Sequence, residues 1–503
     1  MLRRETSPYF DKRITSYLHL VEFLNDLNEA QRGAASHVEG PMMVIAGAGS
    51  GKTRVLTYRI AHLISKGTDA FSILALTFTN KAAREMKDRI AKVIGDGEAR
   101  NVWMGTFHSV FARILRIESE RINYPRNFTI YDTSDSRALI KDIVKGLGLD
   151  DKVYKAASVQ SRISNAKNNL IDAKGYADNT DIMSEDTQAG RPRIHEVYRA
   201  YESRCFRAQA MDFDDLLFKM NVLLRDFPDL LLKYQHKFQY ILVDEYQDTN
   251  FSQYVIIKQL AALRENLCVV GDDAQSIYGF RGANIENILN FKKDYPDFAM
   301  YKLEQNYRST QFIVNAANSV IAHNTEQIEK VVWTSNEAGQ RIQINRCYSD
   351  NEEGKLVASQ VFDVHNQNQV HWKNFAILYR TNAQSRAFEE SFRKLNIPYR
   401  IFGGLSFYQR KEIKDLIAYF RLTANHRDEE ALKRVINYPA RGIGKTTMDR
   451  LLVESTARDV SIWELVTDPF NPPESVQGAA LRKVQDFTAM VQGFAAEMHT
   501  KDA

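Results

Sequence analysis

Short apolar runs alternate with polar tips and helical patterns along the first 300 residues. The run MMVIA at 42–46 leads into a glycine-rich turn and then into apolar residues at helical spacing, which predicts a βα unit. The same plan recurs in FSILALTFTN (71–80), NVWMGTFHS (101–109), QYILVDEYQD (239–248) and NLCVVGDDAQ (266–275). Five such units predict an α/β fold with a mostly parallel sheet, helices on both faces and ligands at the carboxyl ends of the strands.

The remaining segments indicate further domains. Roughly 100 residues between the third and fourth runs are helical and charged and include the polar loop YADNTDIMSEDTQAGRPR, which predicts an inserted helical domain. A second α/β segment follows, with FAILYRTNAQS (375–385) as its clearest strand, and the pattern then turns helical again. The predicted boundaries are 1–112 with 209–302 for the first α/β domain, 113–208 for its insertion, 303–400 for a partial second α/β domain and 401–503 for its partial helical insertion.

Composition narrows the class of protein. The 503 residues are 44% hydrophobic and 26% charged, which is ordinary globular composition for roughly three domains. Cys205, Cys268 and Cys347 lack metal-ligand spacing, so plain thiols in a reducing compartment are expected and no zinc site is predicted. No segment approaches the roughly 20 apolar residues of a membrane span, and the N-terminus lacks a signal-peptide core, so the localisation expected is cytoplasmic, with no membrane partner. The net charge of +4 means that a polyanion must be met by local basic grooves.

The glycine-rich turn AGAGSGKT fits the phosphate-loop pattern of P-loop nucleotide hydrolases, with Ala in place of the first Gly. Small residues let backbone N–H groups close around a phosphate at a helix N-terminus, while Lys52 reaches the β- and γ-phosphates and Thr53 ligates Mg²⁺. The alternative is an ordinary glycine-rich turn before a helix, which the preceding strand disfavours. The predicted loop residues are Ala46, Gly47, Ala48, Gly49, Ser50, Gly51, Lys52 and Thr53.

A second GKT, at 444–446, serves as a comparison. Pro439 occupies the position that requires a small residue, and no apolar strand precedes it. We therefore reject it as a nucleotide site.

The acidic strand tip in ILVDEYQDTN suits a phosphate-loop enzyme. Asp244 is predicted to hold Mg²⁺ and Glu245 to orient and deprotonate the attacking water. Acidic residues also cap helix N-termini, which is the structural alternative. Next to a phosphate loop, the catalytic interpretation is favoured.

Ten motifs occur in order: LNEAQ (27–31), AGAGSGKTR (46–54), TFTNKAAREM (77–86), GTFHS (105–109), DFDDLL (212–217), VDEYQD (243–248), GDDAQSIYGFRGA (271–283), LEQNYRST (303–310), LYRTNAQSRAFE (378–389) and GGLSFYQRKEIKD (403–415). With them the chain resembles the UvrD/PcrA/Rep family of superfamily 1 DNA helicases from about residue 27 to 447. The resemblance implies two RecA-like motor domains, each with a helical insertion. It also implies ATP-driven movement 3′ to 5′ along single-stranded DNA.

The resemblance assigns nucleotide roles residue by residue. Gln31 resembles the adenine-reading glutamine, and Arg54 and Tyr307 resemble the pair that sandwiches the adenine ring. Gln275 resembles the γ-phosphate sensor between ATP and DNA, and Arg308 the γ-phosphate arginine from the second motor domain. The alternatives are a surface helix residue for Gln31, core packing for Tyr307 and a surface ion pair for Arg308.

A DNA track is expected on loops after the strands, where aromatic rings stack bases without sequence preference. The hydroxyl and amide groups of Thr77, Thr79 and Asn80 are predicted to bond phosphates. The family usually has Trp where this chain has Phe280, and RGIG (441–444) resembles a duplex-contacting turn, for which a plain helix–turn–helix loop is the alternative. The remaining predicted DNA-binding residues are Phe78, Phe107, His108, Tyr278, Phe280, Arg281, Gly442 and Gly444. For each aromatic among them, the alternative is a residue of the core.

Two further expectations complete the sequence interpretation. The acids of DFDDLL, Asp212, Asp214 and Asp215, are expected to cap a helix, and a nuclease role is rejected. KGLEF-like and ALTRA-like motifs are absent, so the chain is expected to be truncated, with uncertain activity of its own.

The predicted function is a DNA-repair or replication helicase that uses ATP and Mg²⁺. Its expected partners are single-stranded DNA, single-strand/duplex junctions and repair proteins. The alternatives are the motor part of a recombination helicase–nuclease and a non-catalytic DNA-binding module switched by ATP.

Overall fold

Six strands between Met42 and Leu303 build one parallel sheet. The structure, a computed structural model, describes residues 23–277, 279, 286–324, 328–403 and 407–498. Its strands are β1 (Met42–Ala46), β2 (Ile73–Thr77), β3 (Trp103–Thr106), β4 (Thr129–Ile130), β5 (Ala210–Met211), β6 (Tyr240–Val243), β7 (Leu267–Gly271) and β8 (Ala299–Leu303). The six-stranded sheet has the order β3-β2-β6-β7-β1-β8, and every pair in it is parallel.

The continuous apolar runs of the sequence follow from burial on both faces of this sheet. Met43 and Ile45 of β1 belong to a core on one face, and Met42 and Val44 belong to a core on the other. Parallel strands covered on both sides have no solvent face, so they need no polar alternation. The α/β fold predicted from these runs is confirmed.

Helices cover the sheet on either side. Those that precede the insertion are α1 (Glu29–Ser36), α2 (Lys52–Ser65), α3 (Asn80–Ile94), α4 (Asp96–Asn101) and α5 (Phe107–Glu118). The helices within the predicted insertion are α6 (Thr133–Gly146), α7 (Ala156–Asn168), α8 (Ala173–Asp178), α9 (Thr180–Gln188) and α10 (Ile194–Arg207). Strands β4 and β5 pair in parallel where the chain enters and leaves this helical segment, which brings its two ends together.

The chain then returns to the sheet and continues into further helices. Those of the return are α11 (Phe213–Asp226), α12 (Pro228–Lys237), α13 (Phe251–Ala261), α14 (Glu286–Leu289), α15 (Phe291–Asp294) and α16 (Gln311–Ile321). The later ones are α17 (Asp350–Asn368), α18 (Ser385–Lys394), α19 (Lys411–Ala424), α20 (Glu429–Val435), α21 (Lys445–Ala457), α22 (Ile462–Thr467) and α23 (Gly478–Glu497).

By its contacts the chain divides into two units. One comprises the residues up to Gln340 together with those from Arg421 onward, and the other comprises Arg341–Phe420. In the first unit the late helices pack on the insertion through polar contacts, among them Arg204 with Glu429 at 3.1 Å. In the second unit α17 packs closely on α18 because Gly354 has no side chain; a Cβ there would lie 2.5 Å from the Ala387 carbonyl oxygen.

Two strand predictions need correction. The edge strand β8 was not predicted, because its alternating exposure lacks a continuous apolar run. The strand predicted in FAILYRTNAQS is wrong: residues 375–379 are not in a strand, and Leu378 is 94% exposed. A strand requires a neighbour for its N–H and C=O groups, and residues 375–379 pair with none of the described strands.

Candidate functional site

The phosphate loop lies between β1 and α2 at the carboxyl edge of the sheet. Gly49 and Gly51 have φ of +68° and +92°, which only glycine adopts without strain. The Ser50 hydroxyl donates to the Gly47 carbonyl at 2.7 Å and holds the turn. The loop therefore ends at the N-terminus of α2, where unpaired backbone N–H groups and the helix dipole favour an anion.

Lys52 is the first residue of α2, and its buried ammonium group lies at this loop. Its Nζ lies 3.3 Å from Glu245 Oε2, and its side chain is 11% exposed. No hydrogen-bond acceptor among the described residues satisfies Nζ. An unsatisfied buried ammonium beside a helix N-terminus fits a phosphate group, so the residues present fit a nucleotide.

Asp244 follows β6 and is 3% exposed. Burial, and then the charge of neighbouring Glu245, raise its pKa to about 7, whereas a hydrogen bond from Thr53 lowers it. A buried carboxylate beside a hydroxyl is an oxygen donor set that suits Mg²⁺. The described part of the chain holds no cluster of three or more His, Cys, Asp or Glu side chains with metal-ligand geometry, so a metal here would need oxygens from the nucleotide as well.

Glu245 is held in an unusual backbone conformation. Its φ of +50° lies in the left-handed region, which is rare for non-glycine residues and clusters at functional sites. Gln247 Nε2 donates to Glu245 Oε2 at 3.0 Å. The carboxylate is thereby fixed between an amide and the Lys52 ammonium.

The segment after β8 closes over the phosphate loop. Tyr307 N–H donates to the Gly49 carbonyl at 3.0 Å, and Asn306 Nδ2 donates to the Ala48 carbonyl at 2.6 Å. A Cβ on Gly49 would lie 2.8 Å from Arg308 Cβ, so this glycine is needed for the close approach. The structure therefore brings Tyr307 and Arg308 to the phosphate loop, although 258 residues separate Ala48 from Asn306.

The predicted adenine-binding residues surround the start of α1. Gln31 is buried, and its Nε2 donates to the Ser50 carbonyl at 2.8 Å while its Oε1 accepts from Asn28 N–H at 3.3 Å. The Tyr307 hydroxyl accepts from Asn28 Nδ2, and Arg54 donates to the Asp26 carbonyl. One Gln31 N–H and one lone pair of its oxygen remain for an adenine edge.

The predicted sensor Gln275 lies in the short helix after β7. Its Nε2 donates to Asp272 Oδ2 at 2.5 Å. Asp272 N–H in turn donates to Gln247 Oε1 at 3.0 Å. Hydrogen bonds therefore run without interruption from Glu245 through Gln247 and Asp272 to Gln275.

The predicted DNA-binding residues after β2 and β3 form one aromatic group. The rings of Phe78 and Phe107 meet edge to face with centroids 6.3 Å apart. Phe107 is only 1% exposed and belongs to the core, whereas Phe78 is half-buried and Asn80 is exposed. Of these two phenylalanines, Phe78 therefore offers the accessible ring. Thr77 Oγ1 donates to the Thr79 carbonyl.

Phe213 is a candidate that the sequence interpretation missed. It is 50% exposed at the start of α11, and its ring lies edge to face with that of His108 at 5.9 Å. Burial lowers the pKa of His108, which favours the neutral imidazole. The sequence does contain a signal for Phe213. It stands between two acids in DFDDLL, at the start of a helix, where packing does not require an aromatic residue.

The remaining predicted DNA contacts divide into two groups. Tyr278, Phe280 and Arg281 lie outside the described residues. In the RGIG turn, Gly442 has φ of +67° and Gly444 precedes α21 as its N-cap. The N–H groups of Arg441 and Ile443 donate to Asn437 Oδ1, so this turn is braced internally.

DFDDLL caps a helix, as predicted. Asp212 accepts from Asp215 N–H at 2.7 Å, and Asp215 accepts from Asp212 N–H at 3.1 Å, which forms a reciprocal cap at the start of α11. Lys167 lies 2.8 Å from a carboxylate oxygen of each acid. A single buried lysine therefore bridges the two carboxylates and offsets one of their two charges.

Two family descriptions match most of the chain. Residues 27–296 match the UvrD/REP helicase N-terminal domain, and residues 301–472 match the UvrD-like helicase C-terminal domain. No helix in the described ranges is long and apolar enough to cross a membrane.

Similar proteins include two described as ATP-dependent DNA helicase PcrA. That of Leuconostoc citreum is 46% identical over 443 residues, which cover 88% of this chain and 58% of the relative. That of Staphylococcus aureus is 46% identical over 442 residues, which cover 88% of this chain and 60% of the relative. The chain thus spans about three fifths of the length of these relatives. By these matches, the chain belongs to the UvrD/REP helicase family.

Proposed function

We propose that this chain binds Mg-ATP at the phosphate loop and, in a DNA repair or replication setting, acts as an ATP-dependent helicase or translocase that moves 3′ to 5′ on single-stranded DNA. The observation that carries the proposal is the buried Lys52 ammonium, which has no hydrogen-bond acceptor and lies 3.3 Å from Glu245. Family membership supports the coupling to DNA, and the PcrA relatives are described as ATP-dependent DNA helicases.

Each side chain has a role in this proposal. Lys52 would bind the β- and γ-phosphates, and Thr53 with Asp244 would hold Mg²⁺, which neutralises phosphate charge when bound. Glu245, oriented by Gln247, would accept the proton of the attacking water. Arg308 would add a cation at the γ-phosphate from the segment that closes over the loop.

Single-stranded DNA would lie along the carboxyl edge of the sheet. Phe78 and Phe213 carry rings that reach the surface near His108. Gln275 lies on the same edge and is joined by hydrogen bonds to Glu245. Hydrogen bonds therefore connect the nucleotide site to Gln275, which the proposal places beside the DNA.

A binding experiment tests the nucleotide site. Lys52→Ala should weaken binding of a fluorescent Mg-ATP analogue at least 10-fold, because the phosphate cation is lost. Lys66→Ala is the matched control, since Lys66 is an exposed lysine at the other end of α2, and its affinity should equal that of the wild type. Equal affinity of wild type and Lys52→Ala would overturn the site.

A displacement experiment tests the direction of movement. With ATP, the chain should release streptavidin from a biotin at the 5′ end of an oligo-dT strand faster than from one at the 3′ end. Faster release from the 3′ end would reverse the proposed polarity, and ATP-independent release from both ends would count against translocation.

A further inference from the structure

A segment following α16, residues 328–336, crosses the phosphate loop. A Cβ on Gly47 would lie 2.6 Å from Val332 Cγ2, so Val332 covers this glycine directly. Trp333 N–H donates to the Glu304 carbonyl at 3.0 Å, and Asn306 N–H donates to the Trp333 carbonyl at 2.7 Å. The segment is therefore joined to the residues that close over the loop.

Lys330 anchors the same segment to a second element. Its Nζ lies 2.5 Å from Asp273 Oδ1 and 3.1 Å from Asp272 Oδ1, and its side chain is 7% exposed. Asp273 Oδ2 also accepts from Ile328 N–H at 2.7 Å. Burial alone would lower the pKa of Lys330, but the hydrogen bond to Asp273 and the charge of Asp272 raise it, so the ammonium form is retained.

The two aspartates precede Gln275 with Ala274 in between. Asp272 accepts from Gln275 and donates its N–H to Gln247, which holds Glu245. Lys330 thus contacts Asp272, and Asp272 bonds both Gln275, the proposed sensor, and Gln247, which holds the proposed base Glu245. A cation that binds both carboxylates fixes the position of Asp272, and through it the side chain of Gln275.

We propose that Lys330 is a positioning residue that couples nucleotide binding to DNA binding. The segment 328–336 over the phosphate loop and the short helix that carries Gln275 share this buried ion cluster, so a displacement of one element is passed to the other. The inference rests on the proposed function, because it requires that the chain bind both Mg-ATP and single-stranded DNA.

Linkage provides the measurement. The factor by which ATP changes the affinity for DNA measures the coupling free energy between the two sites. Substitution of a residue that transmits the coupling should change this factor. The dissociation constant of an oligo-dT strand is measured with and without a non-hydrolysable Mg-ATP analogue at saturation. The wild-type ratio should differ from one by at least about 3-fold, within the usual range of such couplings, and Lys330→Met should bring the ratio close to one.

Two further variants make the test specific. Lys302 is exposed and holds the same segment through the Glu329 carbonyl at 2.7 Å, so Lys302→Met should keep the wild-type ratio. Asp273→Asn keeps the shape of its side chain and removes one charge of the cluster, so it should bring the ratio closer to one than in the wild type. It decides the matter if Lys330→Met fails to fold by circular dichroism.

The outcomes separate the two proposals. A wild-type chain that binds neither ligand would overturn the proposed function itself. Binding of both with a ratio of one, or an unchanged ratio in folded Lys330→Met, would overturn the coupling role alone. Affinities for both ligands that fall together while the ratio persists would reduce Lys330 to a structural residue and also overturn the inference.

Discussion

At the residue scale, Glu245 has two neighbours that define its chemistry. Lys52 lies 3.3 Å from Oε2, and Gln247 donates to the same oxygen. A bound phosphate would compete with Glu245 for the lysine, which would free the carboxylate to accept a proton. The strained backbone of Glu245, with φ of +50°, fixes where that carboxylate points.

Glu245→Gln should separate binding from turnover. Glutamine preserves the shape and accepts the Gln247 bond, but it cannot take a proton, so hydrolysis should fall by about 10²–10⁴-fold. Affinity for Mg-ATP should be equal or higher, because Lys52 loses its competing carboxylate. Single-turnover hydrolysis with radiolabelled ATP measures the rate, and wild-type turnover by the variant would exclude Glu245 as the base.

The raised pKa of the buried Asp214 carboxyl predicts that the stability of the fold depends on pH. Burial, and then the charge of Asp212, raise its pKa from 3.8 to about 6. The folded state then binds the proton more tightly than the unfolded state, so this contribution to stability is present below about pH 4 and is lost as pH rises through about 6. Asp214→Asn stays neutral and still accepts from Asn168, which lies 3.1 Å away.

Urea unfolding at several pH values measures this effect. At pH 7.5 the free energy of unfolding of Asp214→Asn should exceed that of the wild type by at most about 3 kcal/mol, from two pKa units. The difference should shrink towards pH 4.5. A difference that stays constant across this range would show that Asp214 titrates normally in the folded state.

At the scale of elements, helix α2 has a glycine with positive φ near each of its ends. Gly51, before α2, has φ of +92°, and a Cβ there would lie 2.8 Å from Gln31 Nε2. Gly67, after α2, has φ of +95°, and a Cβ there would meet nothing within 4 Å. Both backbones would strain an alanine, but only at Gly51 would its Cβ meet a close neighbour.

Alanine at these two glycines should separate strain from contact. Gly67→Ala should lose roughly 1–2 kcal/mol of stability from the left-handed backbone and keep its nucleotide affinity. Gly51→Ala should lose at least as much stability and also weaken Mg-ATP binding several-fold, because Gln31 must move. Thermal unfolding and nucleotide titration of both variants test this, and equal affinities would contradict the role of the close contact.

Elements differ in how well their sequence predicts them. The runs at 42–46 and 240–243 were predicted because strands buried on both faces are apolar throughout. β8 was not predicted, because buried and exposed residues alternate along this edge strand. Residues 375–379 were wrongly predicted as a strand, because an apolar run forms a strand only when a neighbour pairs with it. The contact between Lys330 and Asp273 joins residues 57 positions apart, and no local sequence pattern predicts it.

At the scale of the whole molecule, the net charge of +4 provides little general attraction for a polyanion. We therefore expect the proposed affinity for DNA to come from a local surface, the carboxyl edge of the sheet, where parallel strands bring their following loops together. The amino edge is a natural comparison. Phe71 lies just before β2 and is 52% exposed, whereas Phe78 lies just after the same strand and is half-buried.

This pair of phenylalanines tests the position of the DNA track. Phe78→Ala should weaken oligo-dT binding by about 1–3 kcal/mol, or roughly 5- to 150-fold in Kd, because one stacked base is lost. Phe71→Ala should bind as the wild type does. The logarithm of the wild-type association constant should also fall by about 0.7 per contacted phosphate for each tenfold rise in salt. Fluorescence anisotropy at several salt concentrations measures both effects, and a loss at Phe71 equal to that at Phe78, or salt-independent binding, would place the DNA elsewhere.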